Sequence, residues 1–187
     1  ITWSRLLFVQ ILYCLSGIIR VLTDVNIIPH SESAMYIVTA FNLGLFGLNC
    51  WLVFLYILLS QKFILSLGRL ILSFMPFMIN IIILIASPFI ADGVDISGSV
   101  MTIGMLFPLI MLIDLGYPVA GVVIAFWKGR GKIHYEGDTV SLMMVYPAFF
   151  TIGGLVQLMN WRMPVLCYAI LLADVLVYVS YADSLVS

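Results

Sequence analysis

Charge is what this chain has least of. Only 9% of its 187 residues are Asp, Glu, Lys or Arg, where a water-soluble domain carries roughly 25%. Eight basic and nine acidic side chains give a net charge of −1 and form no basic stripe, so no nucleic-acid partner is expected. Cysteine is also scarce. Cys14, Cys50 and Cys167 fall in separate apolar runs with no Cys-x-x-Cys spacing, which excludes a disulfide framework and a thiolate metal site and leaves three small buried hydrophobes. His30 and His134 stand in polar breaks on opposite sides of the expected membrane, so no metal or haem ligation is expected from them. No nucleophile elbow, zinc-protease or phosphate-loop spacing occurs. This chain is therefore not expected to be an enzyme, and no catalytic residue is assigned. A cleavable signal peptide is missing as well, since no short apolar segment leads into a small-residue processing site.

What the chain does have is apolar length. Hydrophobic residues make up 64% of it, more than a soluble fold of this size can hide. A bilayer core of about 30 Å needs roughly 20 apolar residues per helix. Six runs qualify: 6–22, 35–60, 63–90, 99–127, 140–159 and 163–181. They are long and continuously apolar without alternation, which predicts helices rather than a barrel. The expected fold class is all-α: a polytopic membrane bundle of six helices forming a single domain over residues 1–187.

Orientation follows from the basic residues. With the N-terminus cytoplasmic, the inner side holds Arg5, Lys62, Lys128, Arg130 and Lys132, with Arg69 slightly inside the membrane. The outer side then holds only Arg20 and Arg162, while its longer loops carry Asp24, Glu32, Asp92 and Asp95. Both termini are expected inside. Trp3, Trp127 and Trp161 lie near predicted helix ends, as interface anchors do, whereas Trp51 sits well inside the second run and is expected to pack or to face lipid. The stretch Lys128-Gly129-Arg130-Gly131-Lys132 reads as a cytoplasmic loop meeting anionic headgroups.

Asp114 and Asp174 each fall near the centre of a run. A mid-bilayer carboxylate costs at least about 2.5 kcal/mol on insertion scales and faces the bundle interior or is neutral. One reading is a proton- or ligand-sensing pair in a central cavity; the other is a pair of hydrogen-bonded acids that pin helices together. Asn42 and Asn49 share a helix face close to Ala40, Gly44 and Gly47, and Asn80 and Gln157 are further intramembrane amides. All four read as helix glue or as lining for a ligand pocket. Pro76, and Pro147 followed by Gly153-Gly154, mark hinge candidates.

Three segments are familiar at the residue level. They are Phe74-Met75-Pro76-Phe77-Met78-Ile79-Asn80 continuing to Ser87-Pro88-Phe89, then Tyr146-Pro147 leading through Gly153-Gly154 to Gln157, and the closing Tyr178-Val179-Ser180-Tyr181-Ala182-Asp183-Ser184-Leu185-Val186-Ser187. In this order they resemble the multi-spanning N-terminal region of bacterial GGDEF-domain proteins, putative diguanylate cyclases, over most of the chain from the second span onward. The chain departs from that pattern in its stretch 91–98, which is shorter than the outer loop of the family. No ligand site is carried onto it.

The resemblance implies that the last helix continues into a cytoplasmic GGDEF domain after residue 187. That domain, not this chain, would hold GTP and Mg2+ and make cyclic di-GMP, and it implies a homodimer in the bacterial inner membrane. The expectation is a sensory input module responding to an unidentified small molecule or membrane stimulus, with lipid as its solvent. The alternatives are a small proton-coupled transporter using Asp114 and Asp174, or a passive anchor.

Overall fold

A computed structural model describes residues 3–29, 31–60, 65–87, 95–97, 100–102, 106–129, 137–159 and 164–186. These form six helices: α1 (Trp3–Asp24), α2 (Glu32–Ser60), α3 (Leu67–Ala86), α4 (Leu106–Gly129), α5 (Gly137–Met159) and α6 (Val165–Val186). A two-stranded ribbon, β1 (Asp95–Ser97) and β2 (Val100–Thr102), precedes α4.

The helix ends have local causes. Asn26 adopts a left-handed φ of 57°, and beyond α1 the Ile27 N–H bonds the Leu22 carbonyl at 3.0 Å while the Asn26 N–H bonds that of Thr23 at 3.0 Å. This doubly bonded stop leaves asparagine in the position that tolerates positive φ. Ser31 caps α2 by accepting the Ala34 N–H on its Oγ at 3.3 Å. At its far end α3 ends at Ala86, Ser87 after it keeps right-handed helical angles, and Pro88, which has no N–H to continue the ladder, follows in sequence.

Four stretches are long and apolar enough to cross a membrane: Arg5–Asp24, Ser33–Leu59, Leu67–Ala86 and Phe107–Ile124. Within α5 and α6 the apolar stretches Pro147–Met159 and Val165–Val179 are shorter. Apolar side chains such as Phe8, Ile11, Leu15 and Ile18 of α1, and Ile71, Leu72, Ile82 and Ile85 of α3, point away from the protein. Surfaces of that size and polarity belong against lipid rather than water. The chain is a helical bundle of membrane-protein character.

One expected boundary is corrected. The fourth apolar run was read as a span from residue 99, but α4 begins at Leu106 and Val100–Thr102 pair antiparallel with Asp95–Ser97, Ile96 opposite Met101. Gly98 and Ser99, between the strands in sequence, lie outside the described residues. Within the third run, read as 63–90, α3 covers 67–86; residues 61–64 and 88–90 lie outside the described residues.

In the bundle α2 is the hub, packing on α1, α3 and α4, while α5 and α6 form a pair joined to the rest mainly through α4. The core runs along α2 through Phe46, Cys50, Val53 and Ile57 and meets Met111 of α4, Phe150 of α5 and Ile170 of α6. Of the four spanning stretches α2 is the most buried and α3 the least.

Candidate functional site

Proline dictates the chemistry of α3. Pro76 lies inside the helix and has no N–H, so the ladder loses a rung there. In lipid an open rung has no water to complete it and must find partners within the protein. The group Pro76 leaves open is the Leu72 carbonyl; α4 ties the next rung along, between Ser73 and Phe77. The Tyr117 hydroxyl accepts from the Phe77 N–H at 2.9 Å and donates to the Ser73 carbonyl at 2.8 Å. Ser73 in turn donates its own hydroxyl to the Leu70 carbonyl at 2.8 Å and accepts from Trp51 Nε1 of α2 at 3.2 Å. Around this joint Trp51 and Phe74 meet edge to face with ring centroids 4.7 Å apart, and Phe74 and Phe77 pack tilted at 5.0 Å.

One turn further along the same seam, the Asn80 amide donates to Asp114 Oδ1 at 2.7 Å and approaches the Ile110 carbonyl at 3.4 Å. Asp114 is 1% exposed. It fits because α2 presents Gly47, where even a methyl group would lie 2.9 Å from Asp114 Oδ1. Asp114 Oδ2 and Asn80 Oδ1 are buried without a hydrogen-bond partner. The seam of α2, α3 and α4 thus holds an ionisable group fixed by one amide within an apolar bundle. A third tie closes the far end of α3: the Tyr36 hydroxyl of α2 bonds the Leu84 carbonyl and lies 3.0 Å from Ser87 Oγ. Leu84 is the residue whose carbonyl Pro88, lacking an N–H, leaves open.

A second polar layer joins α1, α2 and α6. Asn42 donates to Ser16 Oγ at 2.7 Å and approaches the Tyr13 carbonyl at 3.4 Å. With its amide nitrogen turned toward α6, Gln10 donates to Asp174 at 3.1 and 3.2 Å. Arg20, toward the C-terminal end of α1, is buried, with Tyr13, Cys167 and Asp24 among its neighbours.

Of the expected site residues, Asp114 and Asn80 are brought together. Asp174 meets α1, so the two carboxyl groups serve different helix interfaces. Asn42 ties α1 to α2. Asn49 is fully buried, with neither of its polar side-chain atoms bonded. The Gln157 side chain accepts the Leu166 N–H at 3.1 Å, capping the start of α6 from the neighbouring helix. Among the hinge candidates, Pro76 sits at the open rung, Pro147 is buried within α5, and Gly153 and Gly154 are filled by close neighbours on α6 and α4. His30 and His134 lie outside the described residues, as do residues 130–136 of the basic loop. Among the described residues no three His, Cys, Asp or Glu side chains form a metal-binding group.

Tyr117, Tyr36 and Gln10 are the site residues that sequence reasoning missed. Pro88 was a signal for Tyr36, since it frees the Leu84 carbonyl and in lipid that group needs a polar side chain; Tyr117 and Gln10 had no such signal. No protein-family model matches the chain, and no curated protein and no solved structure matches it.

Proposed function

We propose that the chain is the membrane-embedded input module of a bacterial signalling protein. In this reading six helices span the inner membrane with both termini cytoplasmic, and α6 feeds a C-terminal cytoplasmic output domain. The resemblance of three ordered segments to GGDEF-domain proteins makes that output a diguanylate cyclase, which would bring GTP, Mg2+ and a homodimer. The observation that carries the proposal is the polar seam of α2, α3 and α4. A buried carboxyl group, a proline-opened helix and three side-chain ties converge there, a construction suited to favouring one packing of the bundle over another. A stimulus shifts such an equilibrium only by its differential affinity for the two packings.

The test is a fusion of residue 187 to a cyclase domain, with cyclic di-GMP measured in cells. Asn80→Leu and Asp114→Asn are expected to change output at constant protein level, and scrambled spans to abolish its regulation. Equal output from all versions, or from an unrelated six-span anchor, refutes a sensory role and leaves a passive anchor.

The buried Asp114 favours one second reading, a proton-coupled carrier. It predicts flux in proteoliposomes that Asp114→Asn and Asp174→Asn abolish. The separation of the two acids onto different interfaces supports the sensory reading over it.

A further inference from the structure

The Tyr117 hydroxyl stands where an α-helix normally needs nothing. The N–H of Phe77 and the C=O of Ser73 are four residues apart and are each other's partners in an uninterrupted ladder. Tyr117 bridges them, accepting from one at 2.9 Å and donating to the other at 2.8 Å. The bridge lies one residue past Pro76. Insertion of a side chain into the ladder beside a proline is a known cause of helix bending.

The two groups that Tyr117 borrows are able to satisfy each other. With Tyr117 inserted both ends are bonded to its hydroxyl. With Tyr117 withdrawn the Phe77 N–H closes on the Ser73 carbonyl. Positions between these leave an N–H and a C=O unpaired in an apolar interior, which is costly. The withdrawn hydroxyl also has somewhere to go. Asp114 is one turn away on the same face of α4, and its Oδ2 is buried without a hydrogen-bond partner.

We propose that Tyr117 is a two-position latch on α3, inserted into the Ser73–Phe77 rung in one state and turned to the Asp114 carboxyl group in the other. The half of α3 that swings is the N-terminal one. Leu67, Ile71, Leu72 and Met75 are exposed there, and it is tied by the Tyr117 bridge and by the bond from Trp51 to Ser73. The C-terminal half is held by Asn80 on Asp114 and by Tyr36 at Leu84 and Ser87. The latch does not depend on the identity of any output domain, so its failure and the failure of the sensory reading are separate results.

The test uses the full chain in lipid nanodiscs. Spin labels are placed through p-acetylphenylalanine at Leu67 and Phe126, which lie near the same end of the antiparallel α3 and α4. A second pair at Ile85 and Leu109 reports the opposite end. Nine residues from the hinge form an arm of about 14 Å, and a bend of about 20° at its root moves the tip by about 5 Å. Tyr117→Phe removes both bridge bonds and is expected to shift the 67/126 distance by about that much. Pro76→Ala keeps the tyrosine but restores the rung to Leu72, and is expected to shift the distance in the same direction. The 85/109 distance is expected to stay fixed in both. Unchanged 67/126 distances in the variants overturn the latch, and so does a parallel change at 85/109, which signals general loosening. Should Tyr117→Phe fail to fold, the Pro76→Ala distance decides alone.

Discussion

Gly153 and Gly116 allow the same substitution to be tested with opposite expected signs. Replacing a helix-interior glycine by alanine removes backbone freedom from the unfolded chain and stabilises by roughly 0.5–1 kcal/mol when the new methyl group meets nothing. At Gly116 on α4 nothing lies within 4 Å of the added Cβ, so the full gain is expected. At Gly153 on α5 the added Cβ falls 2.7 Å from the Ala169 Cβ of α6 and 3.1 Å from a Leu166 methyl. The Ala169 methyl is fixed to its backbone and has no rotamer to escape into. Restoring ordinary contact, 3.4 Å or more, requires α6 to move away from α5. Overpacking of this kind typically costs about 1–3 kcal/mol, and that is the expected gap between the two variants. The assay is unfolding in mixed micelles followed by circular dichroism, with both proteins compared under one detergent regime. Equal stabilities would refute the reasoning, because they would mean that α5 and α6 do not meet at Gly153.

Three further outcomes follow from the same contacts. Tyr36→Phe removes the hydroxyl at the Leu84 carbonyl and Ser87, and is expected to cost about 1 kcal/mol, read by the same micelle titration. Gln157→Leu uncaps the Leu166 N–H at an expected cost of about 0.5–2 kcal/mol, with faster hydrogen exchange confined to the first turn of α6; unchanged exchange at that amide refutes the capping role. Asp114→Leu strands the Asn80 amide in the seam and is expected to cost about 1–3 kcal/mol. Asp114→Asn preserves an acceptor for that amide and is expected to fall within about 1 kcal/mol of wild type, so similar losses in the two variants would show that charge rather than the hydrogen bond holds the seam.

The six helices were legible because apolar length is a one-dimensional property: a run that exceeds the bilayer need not know its neighbours. Boundaries were less legible. Val100-Met101-Thr102 is apolar enough to extend a span, and three residues are too few to display the alternation of a strand, so β2 was absorbed into the fourth run. Arg20 was read by its nearness to a helix end, yet burial depends on which helices surround that end, and α1 turns this face inward. Asn80 and Asp114 were each visible as costly groups in lipid. Their pairing was not, because it depends on how α3 and α4 are set against each other. Tyr117 was the hardest to read: an isolated tyrosine in an apolar run looks like packing until the Phe77 N–H and the Ser73 carbonyl are known to lie opposite.

The ties to α3 also bear on how the bundle is held together. Between helices in lipid, apolar contact gains little over contact with acyl chains, so packing and polar bonds carry the association. α3 presents the least buried of the four spanning surfaces, and it is tied at three levels: Ser73 and Phe77 to Trp51 and Tyr117, Asn80 to Asp114, and Leu84 with Ser87 to Tyr36. A helix held at points rather than along a face does not slide when one point opens; it pivots about the others. Release at the Ser73 level therefore swings the N-terminal half of α3 while Asn80 and Tyr36 keep the rest in place. Release at Asn80 separates α3 from α4 at mid-membrane, where Asp114 would need water. The Tyr117 bridge sits near the middle of α3, and the N-terminal half beyond it has the fewer ties, which makes the first of these the motion that the bundle is built to allow.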